Sequence, residues 1–100
     1  MRLFSFPSVK KKKIIDFATA VRDHVDGVYT VSEAQIVAAM KLVFERMKLV
    51  IEPSAAVGVA VALFSDEFRA RNGVKNVGVV LCGGNVDLDH LPWLASPPAK

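Results

Sequence analysis

One hundred residues are enough for one small domain and too few for two, so any chemistry must come from a single core or from a partner chain. Apolar residues make up 52% of the chain and mean hydropathy is +0.34; that exceeds the roughly 45–50% apolar share of soluble domains, although so small a domain has more surface to cover than most. The net charge of +3 does not mark a nucleic-acid binder, because residues 1–14 hold five of the 13 basic side chains and none of the 10 acids, leaving the rest with eight against ten.

Residues 1–14, with Pro7 and the run Lys10 to Lys13, show no sustained period and read as a basic extension outside the fold. From Ile14 to Val25 the apolar residues Ile14, Ile15, Phe17, Ala18, Val21 and Val25 recur near helical spacing and predict a short helix. Asp26-Gly27 supplies a turn, and Val28 to Val31, with Tyr29 and Thr30, predicts a brief strand. Ser32 followed three residues later by Gln35 has the capping-box pattern, and behind it Ile36, Met40, Val43, Phe44 and Met47 fall on one helical face.

The next helix is of another kind. Pro53 stands where a helix can begin, Ser54 is a candidate cap, and Ala55 to Phe64 contains no polar side chain. A helix apolar around its circumference needs cover on every side. Polar residues return from Ser65, and Asn72-Gly73 reads as the stop. Val77 to Leu81 is a continuous apolar run before Gly83-Gly84, as expected of a strand covered on both faces in a parallel sheet. Asp87 to Trp93 predicts a short helical turn before the tail at 96–100.

One amphipathic helix and two short elements cannot cover both an all-apolar helix and a two-faced strand. The chain is therefore expected either to associate, as a homodimer or with a partner, or to be part of a larger unit. No apolar stretch approaches the roughly 18 residues of a membrane span, and Met1 to Pro7 lack the apolar core of a secretory signal. The single cysteine, Cys82, excludes an intrachain disulfide and a cysteine zinc site, so a cytoplasmic setting is expected.

Val25 to Glu45 (VDGVYTVSEAQIVAAMKLVFE), Arg46 to Ala60 (RMKLVIEPSAAVGVA) and Asn76 to Leu88 (NVGVVLCGGNVDL) resemble, in uninterrupted order, the closing segments of the serine racemase and serine/threonine dehydratase (ammonia-lyase) family. The resemblance runs from about Phe17 to Trp93; its most specific parts are ERMKLVIEPSAAVGVA and VVLCGGNVD. It implies an α/β fold, a partial fold-type II (tryptophan synthase β-like) domain in which helices pack on a few strands of an incomplete parallel sheet. It divides the chain into the unmatched extension 1–14, a segment of a pyridoxal-phosphate (PLP) dependent catalytic domain over 15–95, and the tail.

The resemblance further implies PLP as cofactor, a small amino acid as substrate, and no nucleic acid or membrane as partner. The strand end Leu81 to Asn85 would pass the pyridine ring, with Cys82 where the family carries a serine or cysteine facing the ring nitrogen. An uncharged group there leaves that nitrogen unprotonated and the ring a restrained electron sink. Read from the residues alone, Cys82 is a small apolar residue ending a strand, Gly83 and Gly84 are a tight turn, and Glu52 caps a helix start. The resemblance places Cys82, Gly83, Gly84, Asn85 and Glu52 beside the cofactor, Glu52 toward the ring hydroxyl.

The family's Schiff-base lysine, in an SFKxRG-like motif, and its glycine-rich phosphate loop do not occur in these 100 residues. No catalytic residue is therefore assigned, and the chain alone is expected to be inactive. Asp87, Asp89 and His90 have metal-compatible side chains, but a solvated polar turn is the expected reading and no metal site is assigned. The alternative to a partial enzyme is a non-catalytic α/β module that buries its apolar surfaces on a partner.

Overall fold

The computed structural model describes residues 2–5 and 17–94. Ile14, Ile15, the lysine run and the tail at 96–100 lie outside the described residues. Strand β1 (Arg2–Ser5) pairs antiparallel with β2 (Gly27–Thr30), Arg2 opposite Thr30 and Ser5 opposite Gly27. The sequence predicts β2 to within one residue and does not predict β1, because four residues are too few to display alternation and the pairing is made by backbone groups. Helix α1 (Phe17–His24) lies within the predicted helical stretch.

Helix α2 (Glu33–Leu42) begins as its capping box requires. The Gln35 amide donates to Ser32 Oγ at 3.2 Å and the Ser32 amide donates to Gln35 Oε1 at 2.9 Å, so two otherwise open donors are satisfied reciprocally. The helix then widens into a π-helical turn, Val43–Met47, which ends at Lys48 in the left-handed conformation (φ 58°). Widening shifts the register of the apolar face: Ile36, Met40 and Val43 are buried, whereas Met47, predicted on that face, is 55% exposed.

Helix α3 (Pro53–Phe64) is preceded by Glu52 as its N-cap, with Pro53 first in the helix. The expectation that Ser54 caps this helix is therefore corrected: proline already occupies a helical position, so Ser54 lies inside the first turn and is exposed. Ala55, Ala56, Val57, Gly58, Ala60 and Val61 are buried. Small side chains on α3 and Ala39 on α2 let the two helices close over Ile36, Met40 and Ile51, which form the centre of the core. The all-round burial expected of α3 is incomplete, since Leu63 is exposed and Val59, Ala62 and Phe64 are only partly covered.

Three polar contacts finish α3 and fasten β2. Arg69 Nη1 donates to the Leu63 carbonyl at 3.0 Å, and Ser65 Oγ accepts from the Phe68 amide at 3.2 Å to start α4 (Asp66–Arg69). The buried Tyr29 ring meets Phe68 edge-on at 5.2 Å, and its hydroxyl accepts from Arg71 Nη1 at 2.9 Å. The expected stop at Asn72-Gly73 is a turn beyond α4, with Gly73 at φ 81°.

Val77 to Leu81 is not a strand among the described residues. A strand exists by its ladder, and no described segment pairs with this one; Val77 is 51% and Val80 80% exposed. The α/β class stands, helix-rich and without a closed sheet, and its paired strands, β1 and β2, are antiparallel.

Candidate functional site

The residues Lys48 to Glu52 and Leu81 to Val86 approach one another where α3 begins. Glu52 is extended (φ −81°, ψ 161°) and its carbonyl accepts from the Ala55 and Ala56 amides at 3.0 and 3.2 Å, opening the helix. Its own amide donates to the Gly83 carbonyl at 3.1 Å. This single bond joins two segments about 30 residues apart. It brings Glu52 and the glycine pair together.

The two glycines suit the turn for different reasons, Gly83 by its backbone conformation and Gly84 by close approach to another segment. Gly83 has φ 129°, outside the range of side-chain-bearing residues, and a Cβ built on it would collide with Glu52 Oε1 and lie 3.0 Å from Glu52 Cδ. A Cβ on Gly84 would lie 3.0 Å from the Val50 carbonyl oxygen. The turn closes with the Val86 amide donating to the Gly84 carbonyl at 2.9 Å.

The Glu52 carboxylate makes no capping bond, contrary to the reading of it as a helix cap, and no described residue hydrogen-bonds it. It is half-buried and turned toward Gly83. Cys82 is a free, exposed thiol immediately before the turn. Asn85 follows the glycines, is exposed, and its side chain makes no hydrogen bond among the described residues, so it does not anchor the turn. Leu81 and Val86, on either side, pack against the core and hold the turn in place.

The segment leaving the turn contains a pair that the sequence reading leaves as solvated polar side chains. Asp87 caps a one-turn 3-10 helix, Leu88–His90, by accepting from the Asp89 amide at 3.0 Å, and its other oxygen lies 2.6 Å from His90 Nδ1. The spacing of three between Asp87 and His90 was the available signal. The Asp89 amide first, and the His90 ring second, hold the Asp87 carboxyl below the ordinary carboxylate range. No metal-binding cluster of His, Cys, Asp or Glu occurs among the described residues. The turn ends at Trp93, whose ring meets Phe44 edge-on at 5.0 Å.

Because the folded Asp87 pKa is depressed, its contribution is present above the ordinary carboxylate pKa and is lost as pH falls through the lowered value. Acid titration of Trp93 emission, the chain's single tryptophan, is expected to show a change at the acid end that Asp87→Asn removes. An unaltered acid limb in the variant would refute that coupling. No helix among the described residues is long and apolar enough to cross a membrane.

Against known proteins, residues 8–83 match the family described as pyridoxal-phosphate dependent enzyme. Serine racemase of Bos taurus is 54% identical over 81 residues, covering 80% of this chain and 24% of the relative. Beta-hydroxyaspartate dehydratase of Paracoccus denitrificans is 51% identical over 73 residues, covering 73% of this chain and 22% of the relative. Among solved structures, a pyridoxal 5'-phosphate-dependent aspartate racemase superposes with a TM-score of 0.64 at 48% identity, over 68% of this chain and 21% of that one. The chain thus spans under a quarter of the length of these relatives. The family match takes in Glu52 and ends at Gly83, the two residues joined by the bond that builds the turn, and by that extent of agreement the chain belongs to the pyridoxal-phosphate dependent enzymes.

Proposed function

We propose that this chain supplies part of the cofactor-facing wall of an amino-acid racemase or ammonia-lyase and is not a catalyst by itself. The hydrogen bond from the Glu52 amide to the Gly83 carbonyl supports the reading most directly, because it gathers a carboxylate, a thiol and a side-chain-free turn on one edge of the core. Those groups suit one side of a pyridine ring. The Cys82 thiol is a weak donor and acceptor for the ring nitrogen, and the Glu52 carboxylate, without a hydrogen-bond partner among the described residues, is an acceptor for the ring hydroxyl. Asn85, exposed and with no side-chain hydrogen bond among the described residues, follows the glycines in the chain.

Bound PLP would supply an electron sink for the substrate's α-carbon. Cys82, with no positive charge to give the ring nitrogen, favours restrained sink chemistry, consistent with racemising serine or eliminating water from serine or threonine. The relatives named serine racemase and beta-hydroxyaspartate dehydratase fall in these two reaction types. The lysine that would hold the cofactor and move the α-proton is not in an SFKxRG-like motif of this sequence.

Mixing the 100-residue chain with PLP and L-serine is expected to give no pyruvate, no D-serine and no lysine-bound cofactor absorbance. A family segment bearing the lysine and phosphate loop, added in trans, is expected to restore at least one of these signals. Turnover by the chain alone would overturn the proposal. The exposed Val77 and Val80 favour a second reading, a non-catalytic module that dimerises; a cofactor-free dimer melting cooperatively, with no rescue in trans, would support it instead.

A further inference from the structure

We propose that the edge of β2 covered by β1 is a strand-docking site for the remainder of a family enzyme, and that β1 is a chain-specific cover which that remainder displaces. The two strands differ in kind. β2 lies inside the family match at residues 8–83, whereas β1 precedes it, so the edge belongs to the family and its cover does not. A relative that shares β2 without β1 leaves those backbone groups to another strand or to water. For its occupant, the docking rests on the reading of this chain as part of a larger enzyme.

The edge is prepared to receive a strand. β2 is anchored through its own side chain: Tyr29 is buried, its ring meets Phe68 edge-on at 5.2 Å, and its hydroxyl accepts from Arg71 Nη1 at 2.9 Å. A strand fixed in this way presents backbone donors and acceptors in a set register, and an extended segment of almost any sequence can pair with them. β1 does so from Arg2 opposite Thr30 to Ser5 opposite Gly27. It also runs beside α3, where Leu63 is exposed and Val59 and Phe64 are only partly covered. A segment that takes the edge therefore meets apolar surface still in need of cover. Since this chain spans under a quarter of its relatives' length, the greater part of a complete enzyme is available to supply that segment.

The experiment uses the full chain and, as probe, Bos taurus serine racemase lacking its matched segment. Backbone hydrogen exchange is read in wild type before and after the probe is added. The β1 amides that pair with β2 are expected to lose protection in the complex, while those of Gly27 to Thr30 keep theirs on the incoming strand. Leu3→Pro/Phe4→Pro removes two adjacent amide donors, one of which faces β2 in an antiparallel pair. With β1 covering the edge in at least about nine molecules of ten, freeing it is expected to tighten probe binding by about tenfold. Leu3→Val/Phe4→Val keeps both donors and a preference for strand, and is expected to bind like wild type.

Three outcomes would overturn the docking: β1 amides that stay protected in the complex, a proline variant that binds no more tightly than wild type, or no complex with any of the three chains. If the proline variant does not fold, exchange in the wild-type complex decides alone. Binding is read without turnover, so the two proposals fail separately. Displacement of β1 in a complex that makes neither pyruvate nor D-serine supports the docking and counts against the cofactor wall. Turnover in a complex that keeps β1 paired does the reverse.

Discussion

Met40→Ala is expected to destabilise the fold by about 2–5 kcal/mol, the usual cost of truncating a buried side chain and leaving part of its cavity open. Met40 has no exposed surface and lies in the core cluster with Ile36 on α2, Ile51, and Ala56 and Ala60 on α3. The site depends on that packing. Glu52 is positioned by the first turn of α3, so a loosened α2 and α3 interface releases the carboxylate from Gly83 and the turn from the core. Since domains are stable by only about 5–15 kcal/mol in total, much of the population should open.

Urea unfolding followed by circular dichroism measures this, with the emission of Trp93, packed on Phe44, as a second observable. Met47→Ala is the control, because Met47 is 55% exposed and should change stability by less than about 0.5 kcal/mol. Equal midpoints for the two variants would show that the α2 and α3 contact does not carry the fold.

The second large effect concerns Val80, which is 80% exposed. Val80→Asp is expected to alter the isolated chain by less than about 0.5 kcal/mol, because a carboxylate there remains in water. In an assembled enzyme the same residue would stand in an unbroken apolar run without a charge from Val77 to Leu81, a pattern suited to a strand with protein on both faces. An unpaired charge covered by such a sheet costs about 3–5 kcal/mol, which is about a hundredfold or more in the affinity of rescue in trans. Rescue titrations with wild type and variant measure it. Undiminished rescue by Val80→Asp would show that this face stays open in the complete protein.

The elements legible in the sequence were those whose signal is local. Ser32 and Gln35 form the predicted capping box because both partners lie within one turn. Asp26-Gly27 and the residues after it give β2 for the same reason. The helix from Pro53 was visible in an uninterrupted apolar run, although its cap was assigned to Ser54, two residues too far in. The π-helical turn left no mark, since it changes the register of VFERM without needing a special residue there. Strand β1 left none either, because its partner is about 25 residues away.

The site divides in the same way. The pattern CGGN and the glutamate of IEP stood out by resemblance, and the thiol and glycines could be named before any coordinates. Their meeting could not. Which of Gly83's possible neighbours excludes a Cβ is a question of two chain segments crossing, and sequence spacing carries no information about it.

By itself the sequence determined the positions of the main helices, the family, the absence of an SFKxRG-like lysine motif, and an apolar surplus that one small domain has difficulty hiding. Only the tertiary structure decided that Glu52 faces Gly83, that Asp87 pairs with His90, and that the Val77 to Leu81 run stands without a ladder. The physical reason is range: capping and periodicity act within a few residues, whereas steric exclusion and strand pairing are set by segments that are distant along the chain and adjacent only once the core has closed.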